Sequence, residues 1–280
     1  MSPSVRGESK PAPMPPAPEP LRVPVPDSHT HLDLQETEVG DAVAAAAAVG
    51  VDVLVQIGID VPSSQWAARV AAEHDAVWST VALHPNEAPR LVGAALEIAF
   101  GQIDTLAGLD VVRGIGETGL DHFRTGEDGW AIQEESFRRH IDIAKRHGKT
   151  LVIHDRDAHE DVLRILRSEG APERVVFHCF SGDAEMAKAC TESGYVMSFA
   201  GNITFRTNQH LRDALEVAPS DQVLVETDAP FLAPLPYRGR PNAPYLIPLT
   251  LRAMAQVKGM DEENLGTAVA ATAARMFGPF

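Results

Sequence analysis

The chain is poor in several residue types, and each shortage excludes a class of protein. Two cysteines, Cys179 and Cys190, are too few for a disulfide framework and fit a reducing cytosol. The 24 Lys and Arg residues are outnumbered by 39 Asp and Glu, and the net charge of −15 excludes a general nucleic-acid coat or a membrane-surface binder. The longest apolar run, around Ala42–Ile59, is mostly alanine and contains Asp52 and Gln56, whereas a spanning helix needs about 20 strongly apolar residues. We therefore expect a soluble, cytoplasmic protein with no membrane partner.

Proline is concentrated at the start of the chain. Nine of the 21 prolines fall in the first 26 residues, and residues 1–22 show no apolar periodicity. We expect a disordered, proline-rich arm over residues 1–22 and a single folded domain over residues 23–280. The arm lacks the apolar segment of a signal peptide. A partner-binding proline motif is the alternative to a solvated tail, but nothing marks a stable protein partner, and we expect a monomer.

The folded part alternates short β-branched runs with amphipathic stretches. The predicted strands are Val23–Ser28, Val53–Gly58, Val77–Leu83, Val111–Glu117, Thr150–His154, Arg174–His178, Tyr195–Phe199 and Gln222–Glu226. The predicted helices include Ser64–His74, Ile132–Arg146, Ala158–Arg167, Ala184–Ser193 and Asn208–Val217, with two more in Tyr245–Met276. Eight strand–helix units in about 250 residues indicate an α/β protein with a (β/α)8 TIM barrel. A doubly wound open sheet is the alternative, but its usual glycine-rich turn is missing after the first strand.

Polar side chains cluster where the predicted strands end, and in a barrel these positions meet on one face. His29 and His31 lie two residues apart on an extended segment, so their rings point the same way and reach one metal ion. Glu117 ends an apolar strand, where a carboxylate needs a partner: an ion pair with arginine is one solution, and a bridge between two cations is the better one. The predicted metal ligands are His29, His31, Glu117, His154, His178 and Asp228. Such mixed ligands suit two divalent ions, Mg²⁺, Mn²⁺ or Zn²⁺.

Other residues on this face are candidates for catalysis or substrate contact. Asp228 could bind metal, accept a proton from water, or both, so Asp228 and Glu117 are the predicted catalytic residues. The predicted substrate-binding residues are His84, Arg156, Asn202, Thr204, Arg206 and Arg238. An ion pair with a neighbouring aspartate is the alternative for Arg156. The remaining predictions are support of a ligating histidine by Asp27, a packed rather than ligating Cys179, and surface or cap roles for His74, His140, His147 and His210.

These segments together resemble the TatD family of metal-dependent deoxyribonucleases, within the amidohydrolase-like barrels. The matching segments are DSHTHLD (27–33), LHP (83–85), GIGETGLD (114–121), HDRDA (154–158), HCFSG (178–182), FAGNITF (199–205) and ETDAPFLAP (226–234). The resemblance implies a two-metal site in which His29, His31 and Asp228 hold one ion, His154 and His178 hold the other, and Glu117 bridges them. One segment departs from the family, which usually carries Asn-Glu-Pro where this chain has Asn242-Ala243-Pro244.

The resemblance also implies a function. The family is associated with 3′-exonuclease action on DNA, so we expect a 3′-5′ exodeoxyribonuclease acting on single-stranded or frayed DNA ends. A D-aminoacyl-tRNA deacylase or another metal-dependent small-molecule hydrolase on the same scaffold is the first alternative. A metal-bound scaffold without enzyme activity is the second, and the complete ligand set argues against it.

Overall fold

A computed structural model of the chain describes residues 13–91 and 93–278, so part of the predicted arm lies outside the described residues. Eight parallel strands alternate with helices, which confirms the predicted (β/α)8 barrel. The strands are β1 (Val25–Thr30), β2 (Val51–Ile57), β3 (Val77–Val81), β4 (Val112–Asp121), β5 (Thr150–Arg156), β6 (Val175–Phe177), β7 (Val196–Phe199) and β8 (Val223–Val225). The helices are α1 (Val39–Ala47), α2 (Val61–Glu73), α3 (Ala94–Ala107), α4 (Glu127–His147), α5 (His159–Glu169), α6 (Ala184–Glu192), α7 (Gln209–Val217), α8 (Ile247–Lys258) and α9 (Glu262–Phe277). Among the described helices, none combines the length and apolar character that crossing a membrane requires.

The barrel closes between its first and last strands. Each strand pairs in parallel with the next, and Thr30 forms a parallel bridge with Ala229 just beyond β8. The Asp228 N–H donates to the His29 carbonyl at 2.9 Å, and the His31 N–H donates to the Ala229 carbonyl at 2.9 Å. Closure therefore brings the segment after β8 directly against the His-Thr-His segment of β1.

Strand β4 runs further than the sequence predicts, to Asp121 instead of Glu117. The pairing of β4 with β5 shifts its register between Ile115 and Thr118. Such an irregularity bends a strand and re-aims a side chain. Here the Glu117 N–H donates to the Gly58 carbonyl beyond β2. The β4 backbone therefore bends toward the end of β2 at Glu117.

Part of the predicted arm contacts the folded domain: among residues 13–22, Pro15 and Leu21 are buried and most of the others are exposed. Leu21 is buried, and its N–H donates to the Val49 carbonyl at 2.9 Å. The Tyr245 hydroxyl donates to the Pro15 carbonyl at 2.6 Å. Proline removes backbone donors but keeps its carbonyl acceptor, so a proline-rich segment can still be fixed by donors on the folded domain. Composition gave no sign of these hydrogen bonds, because the partners, Val49 and Tyr245, come from distant parts of the chain.

Candidate metal centre

The Glu117 carboxylate lies at the centre of the barrel mouth, and its two oxygens face different histidines. Oε1 lies 2.6 Å from His154 Nδ1 and 2.8 Å from His178 Nε2. Oε2 lies 3.5 Å from His29 Nε2 and 4.0 Å from His31 Nε2. The carboxylate therefore divides four of the predicted ligands into two pairs, one on each oxygen.

Asp228 belongs to the Oε2 side of the site. Its Oδ1 lies 3.5 Å from His31 Nε2 and 3.8 Å from His29 Nε2. The two imidazole Nε2 atoms are themselves only 3.3 Å apart. Asp228 is less enclosed than Glu117, with 16% of its side chain exposed against 5%, so it faces the open mouth of the barrel.

Small residues in β4 make room for Glu117 at this depth. A Cβ atom at Gly116 would lie 2.5 Å from Val152 Cβ and 2.7 Å from the Val152 carbonyl oxygen. A Cβ at Gly114 would lie 3.0 Å from the Thr150 carbonyl. The glycines of the Gly-Ile-Gly-Glu segment thus allow β4 to approach β5 closely, and this approach sets the position of the carboxylate.

Two carboxylates hold the histidines of the Oε1 side from behind. Asp121 Oδ2 lies 3.2 Å from His154 Nε2, and Glu226 Oε1 lies 3.2 Å from His178 Nδ1. In metal sites, a carboxylate on the far ring nitrogen orients the imidazole and makes it a better ligand. Asp121 also accepts the N–H groups of Phe123 and Arg124, and its second oxygen reaches the ring.

The electrostatics of the site favour positive charge at its centre. Burial disfavours a charged His178, but Glu117 and Glu226 outweigh it and raise its pKa well above the usual value. Burial likewise opposes ionisation of Glu117 and Asp228, but the surrounding histidines outweigh it and lower the pKa of both carboxyls. The two carboxylates are therefore anionic near neutral pH, in a site that holds a cation in preference to neutral groups.

The residues present fit divalent metal ions. Imidazole nitrogens and carboxylate oxygens of His29, His31 and Glu117 lie within 4.8 Å of one another. Both Nδ1 atoms of His29 and His31 are buried without a hydrogen-bond partner. The Nε2 atoms of the same rings face the Glu117 and Asp228 carboxylates, so Nε2 is the nitrogen that would ligate a metal ion on this side. This nitrogen and oxygen donor set suits Mg²⁺, Mn²⁺ and Zn²⁺.

Comparison with known proteins agrees with this geometry. The family described as TatD related DNase matches residues 26–278. A relative from Mycobacterium tuberculosis, named as an uncharacterized metal-dependent hydrolase TatD, is 42% identical over 229 residues, 80% of this chain and 85% of that protein. The chain belongs to the TatD family. A second relative, the uncharacterized metal-dependent hydrolase YabD of Bacillus subtilis, is 35% identical over 80% of this chain and 86% of that protein.

Solved structures show the same fold. The crystal structure of YJJV, a TatD homologue from Escherichia coli, superposes with a TM-score of 0.83 at 22% identity, covering 90% of this chain and 97% of that one. A TatD family hydrolase from Entamoeba histolytica superposes with a TM-score of 0.80 at 16% identity, covering 93% of this chain and all of that one. The chain is thus a metal-dependent hydrolase of the TatD family on a TIM barrel.

His84 is part of this TatD-family site and contacts its central carboxylate. Its Nε2 lies 3.3 Å from Glu117 Oε1, and its Nδ1 accepts the Asn86 N–H at 3.0 Å. Because Nδ1 is an acceptor, the proton of the neutral ring is on Nε2. Burial lowers the pKa of His84 despite the nearby Glu117, which favours this neutral form. His84 therefore offers an N–H donor to the centre of the site, whereas the sequence indicated only a substrate contact.

The other predicted substrate-binding residues are spread around the barrel mouth. The Arg156 guanidinium lies 4.0 Å from the centre of the Phe123 ring, and that of Arg238 lies 4.5 Å from the Phe205 ring. Phe123 thus takes the place of the aspartate that was the alternative partner of Arg156.

Three predicted contacts after β7 are less central. The Asn202 side-chain amide lies 3.8 Å from Cys179 Sγ, at the edge of the site. Thr204 and Arg206 line a cleft of about 530 Å³ together with Arg212 of α7. The lining of this cleft contains none of the six predicted metal ligands. The same Thr204 hydroxyl accepts the Leu235 N–H, so it also fixes the loop after β8.

The structure corrects the predictions for His140 and Asp27. His140 is fully buried on α4, with Nδ1 2.7 Å from the Ser136 carbonyl, and its Nε2 accepts the Leu83 N–H at 3.0 Å. It was predicted at the surface, because helical periodicity alone does not show which helix face meets the barrel. Asp27 accepts the N–H groups of His29 and Thr227 and so joins β1 to the segment after β8, but it does not support a ligating ring.

Two smaller predictions concern Cys179 and the departure at Asn242. Cys179 is half-buried just beyond β6, and its N–H donates to Glu226, so it is less enclosed than the packed residue we predicted. The Asn242 side chain donates to the carbonyls of Thr227 and Phe231, which fixes the turn that carries Asp228. Ala243 is buried beside it. The missing glutamate therefore leaves this turn intact.

Proposed function

We propose that the chain is a two-metal phosphodiesterase that removes nucleotides from the 3′ end of single-stranded or frayed DNA. One observation carries the proposal: the two oxygens of Glu117 face two separate sets of histidines. A single cation would need only one such set. A carboxylate with a separate set of ligands beside each of its oxygens suits the two metal ions with which two-metal hydrolases clamp a phosphodiester.

The residues would share the two ions between them. His29, His31 and Asp228 would hold one, His154 and His178 the other, and Glu117 would bridge them. When bound, such ions supply a water molecule of lowered pKa and offset the negative charge of the phosphodiester. Asp121 and Glu226 would keep the rings of His154 and His178 in the orientation that ligation requires.

Two side chains would handle protons and charge during hydrolysis. Asp228 is ionised and faces the open mouth, so it would accept the proton of the attacking water. The His84 Nε2–H points to the centre of the site, where it would donate to an oxygen of the scissile group. Fixed donors of this kind stabilise the charge that develops in the transition state.

The substrate class is supported by the shape and charge of the mouth. A barrel mouth admits a strand end more readily than the middle of a duplex. Arg156 and Arg238 on its rim supply cations that pair with phosphate. The family description, TatD related DNase, supports a nucleic-acid substrate for this chain. Because the protein is acidic overall, DNA binding should depend only weakly on salt.

The test is digestion of an end-labelled single-stranded oligodeoxynucleotide with added Mg²⁺, Mn²⁺ or Zn²⁺. We expect a ladder from the 3′ end that EDTA abolishes. Glu117→Gln and Asp228→Asn should each retain less than about a hundredth of the activity, in the range expected for loss of a group acting in the transition state. Glu97→Gln, at an exposed position on α3, is the matched control and should retain full activity.

Each other outcome has a definite meaning. Retention of more than a tenth of the activity by Glu117→Gln would refute the role of the carboxylate. Absence of DNA cleavage by folded, metal-loaded protein would refute the nuclease assignment. In that case a panel of D-aminoacyl-tRNA and small esters or amides would identify which hydrolase the site supports.

A further inference from the structure

The phenylalanines of this protein are distributed unevenly between core and surface. Of those in the described residues, all but two are buried. The exceptions are Phe123, which is 63% exposed, and Phe231, which is 52% exposed. Both follow the carboxyl end of a strand and therefore stand on the same rim as the metal centre. Aromatic side chains beside a single-stranded nucleic acid can serve as surfaces on which its bases stack.

Phe123 is fixed on the side of the site formed by β4 and β5. Its N–H donates to Asp121 Oδ1 at 3.0 Å, and the other oxygen of Asp121 reaches His154. The Arg156 guanidinium lies over the ring at 4.0 Å. A cation over an aromatic face holds the ring in place and keeps a positive charge beside it.

Phe231 is fixed on the opposite side, where β8 meets β1. Its ring centre lies 6.4 Å from that of His31, and its N–H donates to the Asp228 carbonyl at 2.9 Å. The Phe231 carbonyl accepts the Asn242 side chain at 2.7 Å. The Phe231 backbone is therefore held by two hydrogen bonds, while its ring projects toward solvent.

In an eight-stranded barrel with strands in sequential order, the β4–β5 edge lies across the mouth from the β8–β1 edge. Glu117 occupies the centre between them. A phosphodiester bound over Glu117 would thus have one exposed aromatic ring on each side. A nucleic-acid strand places one base on each side of every phosphate, so the two arrangements match.

We propose that Phe123 and Phe231 are stacking platforms for the two bases that flank the scissile phosphodiester, and so select an unpaired strand. This inference rests on the proposed function and names the feature of the substrate that the site recognises. Bases in a duplex are already stacked on their neighbours and paired, so they cannot reach the two rings. Single-strand binding proteins use the same combination of aromatic platforms and arginine, without preference for sequence.

The experiment compares two substrates of equal length and charge: a single-stranded oligodeoxynucleotide, and one with abasic sites at its last two 3′ positions. Phe123→Ala and Phe231→Ala should each lower kcat/KM on the first substrate roughly 5- to 160-fold, the loss expected for one stacked base. The abasic substrate lacks both flanking bases, so the wild-type protein should be slower on it by about the product of the two single-variant factors, and both variants should match it there.

Matched variants separate stacking from simple loss of apolar surface. Phe→Tyr at either position keeps the aromatic face and should keep the activity, whereas Phe→Leu should behave like Phe→Ala. Leu109→Ala is the control for an exposed apolar residue elsewhere: Leu109 is 44% exposed in the turn after α3, at the other end of the barrel. Equal melting temperatures would show that all variants are folded.

Two results would overturn the proposal, and they are distinguishable. If the wild-type protein digests both substrates at the same rate and the variants are unimpaired, the rings do not stack on bases and the nuclease assignment stands. If the wild-type protein digests neither substrate with any metal, the proposed function itself fails and the stacking role fails with it.

Discussion

The buried His140 should make the stability of this protein depend on pH in a predictable direction. Burial lowers the pKa of His140 from 6.5 to about 4, because its ring is enclosed on α4 with one nitrogen accepting the Leu83 N–H. As the pH falls below 6.5, the unfolded chain takes up a proton at this residue and the folded protein does not. The free energy of unfolding should therefore fall as the medium becomes more acidic.

The magnitude follows from the difference between the two pKa values. One pKa unit corresponds to about 1.4 kcal/mol, so His140 should reduce the free energy of unfolding by about 3 kcal/mol between pH 6.5 and pH 4. Within that interval the slope contributed by this one residue is at most about 1.4 kcal/mol per pH unit. Other groups add their own slopes, so the contribution of His140 must be measured as a difference.

The measurement is urea unfolding of the wild-type protein and His140→Gln at several pH values from 4.5 to 7.5, with EDTA present so that metal binding does not contribute. The variant loses the hydrogen bonds of the ring and starts less stable at pH 7.5. Its curve of unfolding free energy against pH should nevertheless be flatter than that of the wild-type protein. His210→Gln, at an exposed position on α7, should run parallel to the wild-type curve. Parallel curves for wild type and His140→Gln would refute the reasoning.

Two further predictions concern the glycine beside the central carboxylate and the response to metal. Gly116→Ala places a methyl group 2.5 Å from Val152 Cβ. In a urea titration it should lower the free energy of unfolding by about 1–3 kcal/mol, and it should reduce activity because it displaces Glu117. The control is Gly101→Ala, on α3 with open space around it, which should be neutral or stabilising. Adding Mn²⁺ or Zn²⁺ at 100 times its Kd should stabilise the protein by about 2.7 kcal/mol for each ion bound in a thermal melt, and EDTA should reverse the shift. An unchanged melting temperature with every metal would contradict the assignment of the centre.

Much of the fold was predictable because its signals are local. Buried parallel strands are short apolar runs, and the strand alternation with amphipathic helices appears directly in the sequence. Strands β1 to β8 all lie within a few residues of their predicted positions. The length of β4 was underestimated, because a Gly-rich segment has little strand propensity and is extended here by pairing with β5.

Local sequence signals also predicted part of the candidate site. Once the strands are placed, the rule that their carboxyl ends share one face brings His29, Glu117 and Asp228 together. The contacts of His84 with Glu117 and of Asp121 with His154 depend instead on loop geometry. Asp121 lies inside the matched Gly-Ile-Gly-Glu-Thr-Gly-Leu-Asp segment, which was the available signal for its role.

The sequence by itself determined the strand order, the positions of the polar strand ends and the family. Tertiary structure alone decided which face of α4 buries His140, which hydrogen-bond partners hold Pro15 and Leu21, and which two described phenylalanines remain exposed. The physical reason is the range of the interactions. Periodicity and turn chemistry act between residues a few positions apart, whereas burial and hydrogen bonding at these sites join segments that only barrel closure brings into contact.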